Sequence, residues 1–473
     1  MKRALAVTLI LLSVQPCLAQ QVGDTVAVMA DEQANLMAGS KILDKIDRGN
    51  HLTIEGINGD WYLVWWEGKK GYVNRQDLLP MEQALAVFND AIARGGTASD
   101  YHNRAAIWDY RGEYDKAIAD YGEALRFDPS DALAYHNRGY VWAEKGEYDI
   151  AIADYNQALR LNPRDAIAYS NRGIAWRHKK EYDKAIADYN QAIRLNPDYA
   201  LAYNNRGFAW SEKGDSEKAM ADYNRALKID PRCSDAYNNR GYALAEEGKF
   251  EKAIDDYNKA IEIDPKYQYA IANRGWAWAE IGEFDKSLDD YNEAIRLDPK
   301  DPYAYQGRGY AWKEKYEYDK AINDYNKAIS LDPNYASVYN DRGWAWNGKG
   351  NYSKAMADFE KAIKVNAKNP WGYSNLSWLL ATCPEEKYRN GEKAVALAKK
   401  ACEITLWKNA EILDSLAAAY AELGQFDQAV KWQEKAVSLS SKYQKKRYTA
   451  RLELYQSNKP YRQNPIATTA PTP

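Results

Sequence analysis

This 473-residue sequence predicts a mainly α-helical solenoid preceded by a small all-β domain. Three observations lead there. The triplet Asn137-Arg138-Gly139 returns as Asn171-Arg172-Gly173, Asn205-Arg206-Gly207, Asn239-Arg240-Gly241 and Asn273-Arg274-Gly275, always 34 residues on. Looser copies extend it to Asn103-Arg104-Ala105 before, and to Gly307-Arg308-Gly309 and Asp341-Arg342-Gly343 after. Within each copy the small and large apolar residues fall at helical spacing, so one supersecondary unit is repeated and buries its apolar face against its neighbours. Before Met81 the texture changes to short β-rich runs separated by turn residues.

In chain order, residues 1–19 read as a secretory signal. Lys2 and Arg3 give a positive start, Ala4 to Val14 a short apolar stretch, and Cys17-Leu18-Ala19 a small-x-small cleavage site. That apolar run is short for a membrane span, and Pro16 before Cys17 does not fit lipid attachment, so the expectation is an exported, periplasmic or extracellular protein, soluble after cleavage near Ala19.

Residues 22–80 form the β segment, with runs at Thr25-Val26-Ala27-Val28-Met29 and Trp61-Tyr62-Leu63-Val64-Trp65-Trp66. Turns are expected at Arg48-Gly49-Asn50, Asn58-Gly59-Asp60 and Glu67-Gly68-Lys69-Lys70-Gly71. Close spacing of short strands points to a small barrel. Gly59-Asp60-Trp61-Tyr62-Leu63-Val64 followed by Gly68-Lys69-Lys70-Gly71-Tyr72-Val73 resembles the bacterial SH3-like (SH3b) domain. That resemblance implies a cell-wall or peptide ligand.

From Met81 onward the period is helical. With Ala132 as position 1 of a unit, Tyr135, Gly139, Trp142, Gly146, Tyr148, Ala151, Tyr155, Ala158 and Pro163 occupy positions 4, 8, 11, 15, 17, 20, 24, 27 and 32. This pattern resembles the tetratricopeptide repeat (TPR), which implies a right-handed superhelix of helix pairs. Small residues at positions 8, 20 and 27 allow two antiparallel helices to approach. The residue at 15 makes the turn, and Pro163 closes the second helix. A half-repeat helix covers 81–97, where Ala84, Phe88 and Ala91 copy the second-helix pattern. Eight regular units fill 98–369, starting at Ala98, Ala132, Ala166, Ala200, Ser234, Gln268, Pro302 and Ala336. Two divergent units fill 370–441, the first with an enlarged turn from Thr382 to Glu392. A capping helix is expected over 442–457, and a disordered, Pro- and Thr-rich tail over 458–473.

Position 7, ordinarily Leu in the TPR pattern, is Arg in every regular unit: Arg104, Arg138, Arg172, Arg206, Arg240, Arg274, Arg308 and Arg342. The same units carry Asp at position 23: Asp120, Asp154, Asp188, Asp222, Asp256, Asp290, Asp324 and Asp358. Both disappear together in the divergent units, which have Leu376 with Leu397 and Leu416 with Trp432. Joint loss within one chain predicts a structural Arg–Asp ladder, inside each unit or between neighbours.

The TPR resemblance also implies a groove lined by first helices, with positions 2, 5, 9, 12 and 13 facing it. Position 9 holds Ala106, Tyr140, Ile174, Phe208, Tyr242, Trp276, Tyr310 and Trp344, six of the eight aromatic. Position 5 adds Asn204, Asn238 and Asn340, along with His102 and His136. Position 13 adds Glu144, Glu212, Glu246, Glu280 and Glu314. Aromatic anchors, amides and an acidic border would suit a protein or peptide segment. The bland alternative is that the rings brace adjacent units and the glutamates form a solvated row.

A net charge of −3 gives no electrostatic footprint for nucleic acid. His51, His102, His136 and His178 are scattered, and no nucleophile, zinc or phosphate-loop motif occurs, so no enzyme activity, metal or other cofactor is expected. Cys233, Cys383 and Cys402 match no metal spacing and read as core residues, with a Cys383–Cys402 bridge disfavoured. The favoured function is a non-enzymatic exported scaffold or adaptor that binds a partner protein in the groove. One alternative is a cell-envelope targeting protein whose SH3b-like domain binds wall material while the repeats act as spacer. Another is a non-catalytic subunit of an envelope enzyme complex.

Overall fold

The computed structural model describes strand segments between residues 25 and 80 and then residues 81–463 continuously. The signal-like segment, the turns between strands and residues 464–473 lie outside the described residues. Among the described residues there are eight strands: β1 (Thr25–Val28), β2 (Gln33–Ala38), β3 (Lys41–Asp47), β4 (His51–Thr53), β5 (Gly56–Asn58), β6 (Trp61–Trp66), β7 (Lys69–Asn74) and β8 (Leu78–Pro80). They pair antiparallel in a three-stranded sheet, β4-β1-β8, and a five-stranded sheet, β3-β2-β7-β6-β5. Register shifts between Leu36 and Met37, a bulge in the β2–β3 ladder. Closure of these sheets into an SH3-like barrel remains an expectation.

Two compact halves, Met1–Ile229 and Asp230–Pro473, make up the chain. In the first, α1 (Met81–Ala93) leads into the pairs α2 (Ala98–Tyr110) with α3 (Tyr114–Phe127), α4 (Ala132–Glu144) with α5 (Tyr148–Leu161), α6 (Ala166–His178) with α7 (Tyr182–Leu195), and α8 (Ala200–Glu212) with α9 (Ser216–Ile229). The second half opens with α10 (Ser234–Glu246) and α11 (Phe250–Ile263), α12 (Gln268–Glu280) and α13 (Phe284–Leu297), α14 (Pro302–Glu314) and α15 (Tyr318–Leu331), and α16 (Ala336–Gly348) and α17 (Tyr352–Val365). It continues with α18 (Pro370–Thr382) and α19 (Gly391–Ile404), α20 (Ala410–Glu422) and α21 (Phe426–Leu439), and ends with α22 (Lys442–Gln456). A 3₁₀ turn, Glu386–Tyr388, sits in the enlarged α18–α19 connection.

Close approach of the paired helices rests on the small positions. Ala151 and Ala158 are buried in α5, and the ring of Tyr155 lies against Gly139 of α4, where an added Cβ would meet it at 3.1 Å. In the second half the corresponding distance from Gly309 to the Tyr325 ring is 2.7 Å. The turn at position 15 needs left-handed backbone, and Gly146 supplies it at φ +80°. Two units lack glycine there: Lys180 and Tyr316 adopt φ 59° and 63° themselves. First helices begin at side-chain caps such as Asp131, Asp165 and Asp301, whose carboxylates accept first-turn N–H groups.

The expected disordered tail needs correction at its start. Asn458 turns the chain at φ 53°, and Tyr461, Arg462 and Gln463 then pack back on the repeats. An aromatic ring and a guanidinium supply anchors that composition, dominated by Pro and Thr, concealed.

Candidate functional site

Each regular-unit arginine grips the aspartate of its own unit with a two-bond fork. Arg138 Nε and Nη2 donate to the Asp154 carboxylate at 2.7 Å each. The forks Arg104–Asp120, Arg172–Asp188, Arg206–Asp222, Arg240–Asp256, Arg274–Asp290, Arg308–Asp324 and Arg342–Asp358 repeat it at 2.6–2.8 Å. The carboxylates are buried and the guanidiniums half-buried. Each of these guanidiniums but Arg274 also lies 5.3–5.7 Å from the ring at position 4 of its own unit, as Arg138 does over Tyr135. The hydrogen bonds that Arg104 donates to Asp120 hold it firmly charged. At Asp290, burial outweighs Arg274 and pushes the carboxyl above its ordinary range.

The sequence reading missed the third arm of this fork. Arginine Nη1 reaches back to the asparagine at position 25 of the preceding unit: Arg172–Asn156 at 2.6 Å, Arg206–Asn190 at 2.6 Å, Arg274–Asn258 at 2.7 Å, Arg308–Asn292 at 2.8 Å and Arg342–Asn326 at 2.6 Å. Arg104 does the same with Asn89 of α1. The recurring Asp-Tyr-Asn triplet was the available signal. A further ladder joins Lys145 to Asp115, Lys179 to Asp149, Lys213 to Asp183, Lys315 to Asp285 and Lys349 to Asp319 across successive units. These charges lie at the exposed inter-helix turns, where each pair is worth little.

In the divergent units Leu376 and Leu397 pack in one apolar cluster with Leu416 and Trp432. The last units use a different ion pair: Arg451 of α22 forks onto Asp414 of α20 at 2.8 and 2.7 Å, with Gln433 donating to the same carboxylate at 2.8 Å. Both charges are almost fully buried. Trp378, Tyr448 and Tyr461 surround the Arg451 guanidinium at 5.1–5.4 Å.

First helices of neighbouring units touch within each half, so position 9 forms a row on one face. In the first half Tyr140 is 42 % exposed and Phe208 is half-buried, with the Arg177 guanidinium 4.8 Å from the Phe208 ring. In the second half Tyr242 is 44 % exposed, and Trp276, Tyr310 and Trp344 are half-buried. Trp276 is braced by Tyr242 and Phe250 at 6.0 Å, and Trp344 by Phe359 at 5.8 Å. Lys313 Nζ lies 4.6 Å from the Tyr310 ring. The row therefore shares its rings between packing and solvent, and cations of the chain itself settle on two of them.

Position 5 behaves differently from the open row of hydrogen-bonders that the sequence reading expects. Asn204, Asn238 and Asn340 are buried in the floor of the face. Position 5 is linked to position 6 of the next unit: Asn273 donates to Asn238 at 2.9 Å, Gln306 to Asp341 at 2.6 Å, and Asn171 meets His136 at 3.1 Å. These bonds join successive units, as buried polar groups generally require, whereas the buried Asn340 Oδ1 has no hydrogen-bond partner among the described residues. The position-13 glutamates Glu144, Glu212, Glu246 and Glu280 are exposed along the border, with Trp276 Nε1 donating to Glu280 at 3.3 Å. Near Glu144, burial first and that neighbouring charge second push the Asp109 carboxyl up to about 6.

Among the described residues there is no group of three or more metal-ligating side chains. No described helix is long and apolar enough to cross a membrane. Cys233, Cys383 and Cys402 are buried free thiols, and burial pushes Cys402 up to about 12.

Within each half the helix pairs stack as a solenoid, and each regular unit carries an internal Arg–Asp fork. Models described as "Tetratricopeptide repeat" match residues 143–200, 200–233, 234–267, 336–369 and 409–442, and those described as "TPR repeat" match 110–144, 277–315 and 313–345. Together they cover more than half of the sequence, and the chain belongs to the tetratricopeptide-repeat family. No curated protein matches it. Solved structures similar to it include yeast Tom70 (16 % identity, 76 % of this chain and 96 % of that one, TM-score 0.44). The protein MamA is 30 % identical over 34 % of this chain and 95 % of its own, with TM-score 0.31. A tetratricopeptide repeat protein from Parabacteroides merdae is 22 % identical over 57 % and 98 %, with TM-score 0.42.

Proposed function

We propose that this chain is an exported, non-catalytic adaptor that binds an extended segment of a partner protein on the first-helix face of its repeats. The observation that carries this reading is the row at position 9, where large rings such as Tyr140 and Tyr242 stay more than two-fifths exposed beside exposed glutamates. Aromatic groups with an apolar body and a polar edge make effective anchors, and a carboxylate border favours partners with basic residues. Export rests on the charged and apolar pattern of residues 1–19. The two antiparallel sheets between residues 25 and 80 favour a second reading, in which an SH3-like barrel carries the protein to wall material and the repeats present the partner site.

The test is selection of displayed twelve-residue peptides on the full-length protein, followed by a Tyr242→Ala, Trp276→Ala, Tyr310→Ala variant with unchanged far-UV circular dichroism. Selected peptides should be rich in basic and aromatic residues, and their affinity should fall at least about tenfold on the variant. Equal affinity would overturn the groove reading. Purified peptidoglycan should sediment both proteins equally if the β segment addresses the wall.

A further inference from the structure

After α22 the chain reverses and lies on the face that first helices present. The contacts fall on positions 9, 12 and 13 of the ninth unit and position 13 of the tenth, the same positions that form the face in earlier units. Tyr461 packs on Trp378 with ring centroids 5.7 Å apart. Arg462 Nη2 pairs with Glu422 at 2.6 Å, and its Nη1 donates to the Ala381 carbonyl at 3.3 Å. The Gln463 N–H donates to the Thr382 carbonyl at 2.9 Å. Residues 459–463 form no helix or strand, so the segment sits as a bound peptide would: ring on ring, guanidinium on carboxylate, main chain on main chain.

Beside it lies a cavity of about 240 Å³ whose walls include Trp344, Ser374, Glu411, Arg447, Tyr461 and Gln463. Tyr461 and Gln463 of this strap thus form part of the cavity wall. The Arg462 side chain is 36 % exposed, whereas the Glu422 oxygen that it meets is buried. Glu422 is also held by Arg389 at 3.0 Å, so the carboxylate stays in place without Arg462. The same pairing of a ring at position 9 with a glutamate at position 13 of the next unit recurs at Tyr242 with Glu280 and Trp276 with Glu314.

Resting on the reading of this face as a binding surface, we infer that the α18–α20 section docks an extended partner segment carrying an aromatic residue followed by arginine. The chain's own Tyr461-Arg462 occupies that site until such a segment displaces it. Chemistry commits the occupant: Trp378 accepts a ring, Glu422 accepts a guanidinium, and the Thr382 carbonyl accepts a main-chain N–H. A tethered occupant at millimolar effective concentration suppresses a free competitor without strong contacts of its own.

The probe is a fluorescein-labelled heptapeptide, Ser-Asn-Lys-Pro-Tyr-Arg-Gln, the sequence of residues 457–463. Its anisotropy is titrated with the full-length chain and with full-length Tyr461→Ala, Arg462→Glu. The released variant should bind at least about tenfold more tightly than the parent. Adding Trp378→Ala should abolish that gain, and a peptide with Ala-Glu in place of Tyr-Arg should not bind. Equal binding to parent and folded variant would overturn the proposal, as would a dimer by light scattering in which the strap crosses to a second copy. Should the double variant melt early, Arg462→Glu alone carries the same expectation. Peptides selected on the Tyr242–Tyr310 row report on the adaptor reading independently, so either idea can fail without the other.

Discussion

Replacing Arg308 by Leu in the full-length chain asks how much the ladder contributes. Asp324 is 7 % exposed and accepts from Arg308 Nε at 2.8 Å and Nη2 at 2.6 Å, while Nη1 holds Asn292 at 2.8 Å. Losing one partner of a fully buried pair costs roughly 3–5 kcal/mol, because the other charge is stranded. An exposed pair costs about 0–1 kcal/mol. The Arg308 side chain is 22 % exposed, so water reaches the site and about 2–3 kcal/mol is expected. Asp324→Leu should cost less, about 1–2 kcal/mol, since the freed arginine can turn outward. The double variant imitates Leu376 with Leu397 and should recover about 2 kcal/mol relative to the sum of the singles. Urea unfolding of the four proteins gives the coupling. Hydrogen exchange in α14 and α15 is needed beside it, because a repeat array can open in segments. Coupling below about 0.5 kcal/mol would refute the ladder as a stabilising device.

Further expectations concern the turns and the acidic border. Lys180→Gly and Tyr316→Gly each place glycine where the backbone is already left-handed, and each should stabilise by about 0.5–1 kcal/mol in thermal unfolding. A lowered midpoint would show that the side chain contributes more than its backbone strain costs. Asp109 has its carboxyl raised from 3.8 to about 6, so the folded chain binds the proton more tightly than the unfolded one. Its contribution is fully present below pH 4 and is lost as pH rises through 6. The full difference corresponds to roughly 3 kcal/mol, which partial exposure reduces to about 1. Asp109→Asn should therefore raise stability at pH 7 and leave it unchanged near pH 3.5, and equal effects at both pH values would count against the cause given.

Much of the architecture was legible because each repeat restates the same local rule. Gly139, Ala151 and Ala158 mark close approach, and Gly146 marks a left-handed turn, whatever surrounds them. The pairing of Arg138 with Asp154 was also legible, since loss of both types in the divergent units is a signal within one chain. Contacts that join units were harder to read. That Asn156 serves Arg172, or that Asn238 is buried floor instead of open surface, depends on how the next unit is rotated, and a periodic sequence does not encode that rotation residue by residue. The fate of Tyr461 was hidden for the same reason. A short polar segment rich in Pro and Thr carries no periodicity, and only the helices folded beneath it reveal that Trp378 and Glu422 receive it. Sequence alone determined what each unit is, because helix pairing is local. Tertiary structure decided which faces meet and which remain open, because those depend on atoms brought together from far along the chain.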